Sequence, residues 1–258
     1  MSADAPSPDP STSQTGSATP PPRRPMQWAI VLPLISLAAT LGLWLQTRHE
    51  LTSLRADQRA LLAELNAARG TPVIDITGAP VLGSQDAPVT LIEFADYKCP
   101  FCIRHFAQTM PMLEANYIRT GKVRYVFRDM PIDSLHPGSI RAHEAARCAI
   151  EQGRFWELHT RLFTAPGTHG DAALETRASE AGLNVDALRS CLASGRTEAA
   201  VRQSVAAAGQ LGASGTPTFF VGVKDGSSDQ IRVVQALAGA QPYSEFEKAI
   251  EVVRKQVN

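Results

Sequence analysis

The chain of 258 residues lacks an excess of either charge: 25 Lys and Arg stand against 25 Asp and Glu. The longest basic run is Arg23–Arg24, so there is no electrostatic footprint for a nucleic acid, and none is expected as a partner. Residues 1–25 lack aromatic side chains and any large aliphatic side chain beyond Met1. A segment this poor in apolar surface cannot offset its ordering entropy, so it reads as a disordered tail. From Pro25 to Thr47 the absence is of charge altogether. The cysteines are scarce too. Of four, only Cys99 and Cys102 lie close together, while Cys148 and Cys191 are isolated. A structural zinc site needs four Cys or His ligands, usually as two close pairs. His136 and His143 have no thiolate neighbour, so no metal is expected, and nothing in the sequence calls for a cofactor.

The uncharged stretch is strongly apolar over Trp28–Leu45. Eighteen helical residues reach roughly 27 Å, close to the ~30 Å hydrocarbon core of a bilayer. Trp28 and Trp44 sit near its ends, where indole favours the interface. The alternative is a cleaved signal peptide, but the run is long for one and no clear A-x-A site follows. Residues 26–46 are therefore expected to be a single transmembrane anchor. The short tail with its Arg pair would stay cytoplasmic, and the C-terminal bulk would lie outside the inner membrane, in the periplasm. Residues 47–77 read as a stalk and linker. Leu51, Leu54, Gln58, Leu61 and Leu65 alternate three- and four-residue steps, an a/d pattern that allows a weak dimer or a monomeric spacer helix. Gly70 and Pro72 end that helix.

Residues 78–258 read as one α/β domain. Val89–Asp96 is a nearly continuous apolar run, as in a strand covered on both faces. Pro100–Arg119 reads as a helix with Pro100 in its first turn, and Lys122–Arg128 alternates like a strand. Residues 134–212 form an all-helical block. Residues 216–223 and 231–239 read as a hairpin of strands, and Tyr243–Arg254 as a closing helix.

Cys99 thus stands where a strand hands over to a helix, and Cys102 lies one turn inside. The unpaired N–H groups and positive dipole end of a helix entrance favour a thiolate. Lys98 and His105 would add positive charge nearby, unless they and Arg104 are ordinary solvated surface. Glu93 is an acid in an otherwise apolar strand. Buried, it would have a raised pKa and exchange protons near neutrality; on an edge strand it would face solvent.

"EFADYKCPFC", the helical block with "RCAIEQGRFWELH", the "GTPTFFVG" strand entry and the strand–helix ending resemble the DsbA-like family of thiol:disulfide oxidoreductases. The resemblance covers about 70% of the chain and implies a thioredoxin fold with an all-helical insertion. It implies a redox centre at Cys99–Cys102, with Cys99 the exposed, attacking thiol and Glu93 a proton relay beneath Cys102. It places Thr216 and a cis Pro217 opposite the cysteines, where the Thr216 backbone can pair with an extended client segment; Pro100 and Phe101 complete that contact surface. It allows a structural Cys148–Cys191 bond, the alternative being two separate buried thiols.

The function expected is introduction of disulfides into exported proteins. Reduced or misoxidised proteins would be clients, and a quinone-linked membrane oxidase of the DsbB type would recycle the pair. A reductase or isomerase of the same fold is the nearest alternative, because Phe101 cannot donate a hydrogen bond or charge to a thiolate as imidazole would. A non-catalytic, membrane-tethered interaction module is the more distant one.

Overall fold

The computed structural model describes residues 41–55, 57–58, 70–165, 167 and 169–257. The chain divides into two compact units, Met1–Glu64 and Leu65–Asn258. In the first, residues 41–55 form a helix, α1, on which Leu51 and Leu54 are exposed. The tail at 1–25 and all but the last six residues of the anchor at 26–46 lie outside the described residues, as do Leu61 and Leu65 of the stalk. Among the described residues no helix is long and apolar enough to cross a membrane.

The second unit is built on a six-stranded sheet in the order β1-β6-β5-β3-β4-β2. The strands are β1 Val73–Asp75, β2 Val81–Leu82, β3 Val89–Ala95, β4 Val123–Asp129, β5 Thr218–Asp225 and β6 Ser227–Ala238. β3 and β4 run parallel, and every other pairing is antiparallel. All seven residues of β3 are buried, which explains its unbroken apolar run. Glu93 therefore lies on a central strand, opposite Phe127 of β4 and Phe219 of β5, and not on an edge. At Gly222 in β5 a Cβ would fall 2.3 Å from the Arg232 carbonyl oxygen of β6, a close approach that only glycine permits.

Two stretches differ from their sequence reading. Residues 71–77, expected as linker, supply the edge strand β1, and the other edge, β2, lies just inside the expected start of the domain at 78. Ile74 and Ile76 are 3% and 2% exposed and join the second of two cores, where α8 (Glu198–Gln210) contributes Ala208. The runs are too short for periodicity to distinguish them from linker. Pro100–Arg119 is not one helix either. α2 (Pro100–Gln108) ends before Thr109, followed by the short α3 (Met110–Leu113) and a π-helical turn over Glu114–Ile118. Pro111 is the physical reason, because it offers no N–H and its ring crowds the carbonyl four residues back.

The all-helical insertion between β4 and β5 comprises α4 (Ser139–Glu151), α5 (Phe155–Thr164), α6 (Asp171–Glu180), α7 (Val185–Ser194) and α8. Its helices α4 to α7 pack with α2 and α9 (Tyr243–Arg254) around the larger core on the Glu93 face of the sheet, which holds Leu158, Leu162, Phe219 and Phe246, while α8 serves the second core. This is the thioredoxin fold with a helical insertion.

Candidate active site

Cys99 is the residue before the first turn of α2, with extended φ/ψ of −70° and 121°. Its carbonyl accepts the first helical bond, from the Ile103 N–H at 3.0 Å. Pro100 needs no partner for its missing N–H at that position. The loop ahead of the helix is fixed by Asp96, which is fully buried. Its carboxylate accepts from the backbone N–H groups of Lys98 and Ile132, each at 2.8 Å, and from the Ser139 hydroxyl, and it pairs with His136 Nδ1 at 2.8 Å. Burial works against this charge, but the nearby His143 and these donors hold the carboxyl below its ordinary range. The strand end, the cysteine loop and the start of the insertion are thereby tied to one side chain.

The Cys99 sulfur lies 3.3 Å from the carbonyl oxygen of Thr216, and the Thr216–Pro217 peptide is cis. That carbonyl can accept a hydrogen bond only from the thiol. The Thr216 hydroxyl is buried with no other partner, free to turn its proton to a thiolate. Cys99 is only 3% exposed and Cys102 is fully covered. The expectation of an exposed Cys99 is corrected: its sulfur is buried at the Thr216–Pro217 loop. That loop packs against the sulfur. Phe101 projects outward, 53% exposed. It shares a cavity of about 390 Å³ with Arg104, Thr216, Pro217 and Gln241.

Both cysteines are free thiols, and their surroundings split them. A hydrogen bond from the Cys102 thiol is the largest cause bringing Cys99 down from 9 to about 5; Thr216 and the backbone of Cys102 and Phe101 assist, against burial. Burial pushes the Cys102 thiol far above its ordinary value, reinforced by Cys99 and by Glu93. The Asp96 N–H, 3.5 Å from the Cys102 sulfur, opposes this only partly. Glu93 is 3% exposed, and burial raises its carboxyl to about 8, against a short hydrogen bond donated by the Tyr125 hydroxyl.

Neither side chain expected to add positive charge makes a hydrogen bond to Cys99 among those the structure shows. Lys98 Nζ donates to the Pro137 carbonyl at 2.6 Å. His105 is buried, and burial drives it down to about 3, so its ring is neutral. Cys148 of α4 and Cys191 of α7 are joined by a disulfide with Cα atoms 6.0 Å apart. Tyr125 and Asp96 escaped the sequence reading, because a Tyr in an alternating strand and an Asp at a strand end carry no signal of their own. Their roles come from the neighbours the sheet brings to them.

A family model described as thioredoxin matches residues 76–251. The chain is 36% identical over 190 residues to a Na(+)/H(+) antiporter of Salinispora tropica; the match takes in 72% of this chain but spans only 28% of that protein's length. It is 34% identical over 123 residues to disulfide bond formation protein D of Bacillus subtilis, covering 43% of this chain and 54% of the relative. Among solved structures, a thioredoxin-like oxidoreductase from Silicibacter pomeroyi is 33% identical. It superposes with a TM-score of 0.57, covering 69% of this chain and 92% of that one.

Proposed function

The chain belongs to the thioredoxin family, in its DsbA-like group, and from that premise we propose that it is an extracytoplasmic thiol:disulfide oxidoreductase that oxidises exported proteins. The observation that carries the reading is the split between two thiols three residues apart: Cys99 held near 5, Cys102 pushed far up. A thiolate stable at neutral pH is a good leaving group, so a mixed disulfide at Cys99 resolves readily. The same stability favours the reduced pair, which makes the disulfide an oxidant. In the forward reaction a client thiolate attacks Cys99, Cys102 leaves, and the client's second thiolate completes the client disulfide. Glu93 exchanges the Cys102 proton. An extended client segment lies along the backbone of Thr216 beside Pro217, with Pro100 and Phe101 on its other flank.

The apolar run Trp28–Leu45 supports a single-pass anchor in the inner membrane, with residues 1–25 cytoplasmic and the redox unit outside. A quinone-linked oxidase of the DsbB type is the partner that fits this arrangement, and the Cys148–Cys191 bond serves as a structural staple. Phe101, whose side chain gives no hydrogen bond to Cys99, favours the second reading, a reductase or isomerase with a less oxidising pair.

Trapping separates these readings from an inert module. Cys102→Ser should accumulate mixed disulfides with exported proteins, and Cys99→Ser should accumulate none. A wild type unable to oxidise a reduced two-cysteine peptide, with neither variant trapping clients, would leave only a non-catalytic role.

A further inference from the structure

His105 has no part in the steps above. It sits on α2 one turn beyond Cys102, 1% exposed, and neither ring nitrogen meets a hydrogen-bond partner. Its ring packs on Phe219 of β5 and Phe246 of α9, with centroids 4.5 and 5.1 Å away. A phenyl ring would fill that space without leaving polar atoms unmet, and buried polar groups without partners are rare in native proteins.

Two neighbours give the imidazole a task. Its Nε2 is 3.9 Å from Oε2 of Glu93, a small side-chain movement short of a hydrogen bond. His105 also lines a cavity of about 270 Å³ together with Arg104, Gln108, Thr109 and Gln241. That space is polar and roomy enough for water; both ring nitrogens are covered, so water reaches Nδ1 through the same small side-chain movement that brings Nε2 to Glu93. Glu93 itself is buried. The titratable groups around the pair are Tyr125 from β4, Tyr97 and Cys99 from the loop ahead of α2, and Cys102 from α2. Of the aromatic rings packed on His105, those from β5 and α9 are phenyl groups and do not titrate.

We infer that His105 is a positioning and proton-passing residue that joins Glu93 to the water of this cavity, and so sets the rate at which Cys102 gains and loses its proton. The inference rests on the oxidoreductase reading. When a client thiolate attacks Cys99 of the oxidised protein, the Cys99–Cys102 bond breaks and its electron pair leaves on Cys102. The Cys102 thiolate takes the proton of the Glu93 carboxyl. Neutral His105 then gives Glu93 its Nε2 proton and receives one from water at Nδ1, as an uncharged imidazole can. The client's second thiolate attacks the client sulfur bound to Cys99, and Cys99 leaves as thiolate. Two electrons pass from the client thiols to the cysteine pair. Of the two client protons, the balance puts one on Cys102 and releases the other to solvent.

His105→Phe keeps the aromatic packing and removes the relay. Single-turnover oxidation of a reduced two-cysteine peptide should slow about tenfold at neutral pH, with a changed pH profile, while alkylation of reduced Cys99 keeps its pH dependence. In His105→Ala, added imidazole should restore the rate, an effect absent from the wild type. Should His105→Ala fail to fold, the His105→Phe profile decides alone. A competent wild type with an unchanged rate and profile in His105→Phe overturns this inference only. A wild type that leaves the peptide reduced overturns the oxidoreductase reading and this inference with it.

Discussion

Cys99 of the reduced protein loses its proton near pH 5, whereas a thiol in an unfolded chain does so near ~8.5. A depressed folded value means that the stability it contributes is full above the unfolded pKa and is lost as pH falls through the folded one. The oxidised protein has no Cys99 thiol to titrate. Burial is the chief cause of the raised Glu93 pKa, and it acts in both redox forms, so Glu93 largely cancels from their comparison. At neutral pH the reduced form should therefore resist urea better than the oxidised one, with the difference closing on acidification toward pH 5. Paired melts of the two forms read this directly. An oxidised form that is clearly the more stable at neutral pH would favour the reductase. The buried carboxyl of Glu93 was legible as an acid in an apolar strand. The buried His105 was not, because one His on an amphipathic helix looks the same whichever way it faces.

At the scale of elements, α4 and α7 lie far apart in sequence yet are joined by Cys148–Cys191, 43 positions apart. In the chain-entropy model a loop of this size is worth about 4 kcal/mol. Replacing both cysteines with alanine should lower unfolding stability by that order in denaturant melts. Peptide oxidation should change by less than about twofold, since the larger core still carries the buried faces of both helices. A much larger loss of activity would mean that the bond positions the active site. The all-helical character of residues 134–212 was readable in the sequence. The break at Thr109 was also printed in the sequence, at Pro111, but a continuous apolar face obscures a proline unless its lost hydrogen bond is counted.

For the whole molecule, the question is where the redox unit starts. Ile74 and Ile76 are buried in the second core, and Arg128 of β4 donates to the Asp75 carbonyl at 2.5 Å. A chain beginning at Gly70 should melt as the full-length protein does. One beginning at Ala79 should lose about 3–5 kcal/mol, the value of exposing or deleting two buried isoleucines, as an upper figure. Equal melting of the two would show that β1 adds nothing to the unit.

Local chemistry is what the sequence determined by itself. A cysteine followed by proline at a strand-to-helix junction, a fully apolar strand, helices at a 3.6-residue period and a Thr-Pro strand entry are each set by near neighbours. Backbone sterics and burial patterns act over a few residues and leave their mark there. Which residues meet across the sheet was decided only by the tertiary structure. It set Tyr125 against Glu93, Thr216 against Cys99, Asp96 at the hub of three segments and His105 facing inward. Those contacts depend on strand register and helix rotation, where a shift of one residue turns a side chain to the opposite face. The burial that raises the Cys102 thiol and the Glu93 carboxyl arises from the same long-range packing, so no short stretch of sequence carries it.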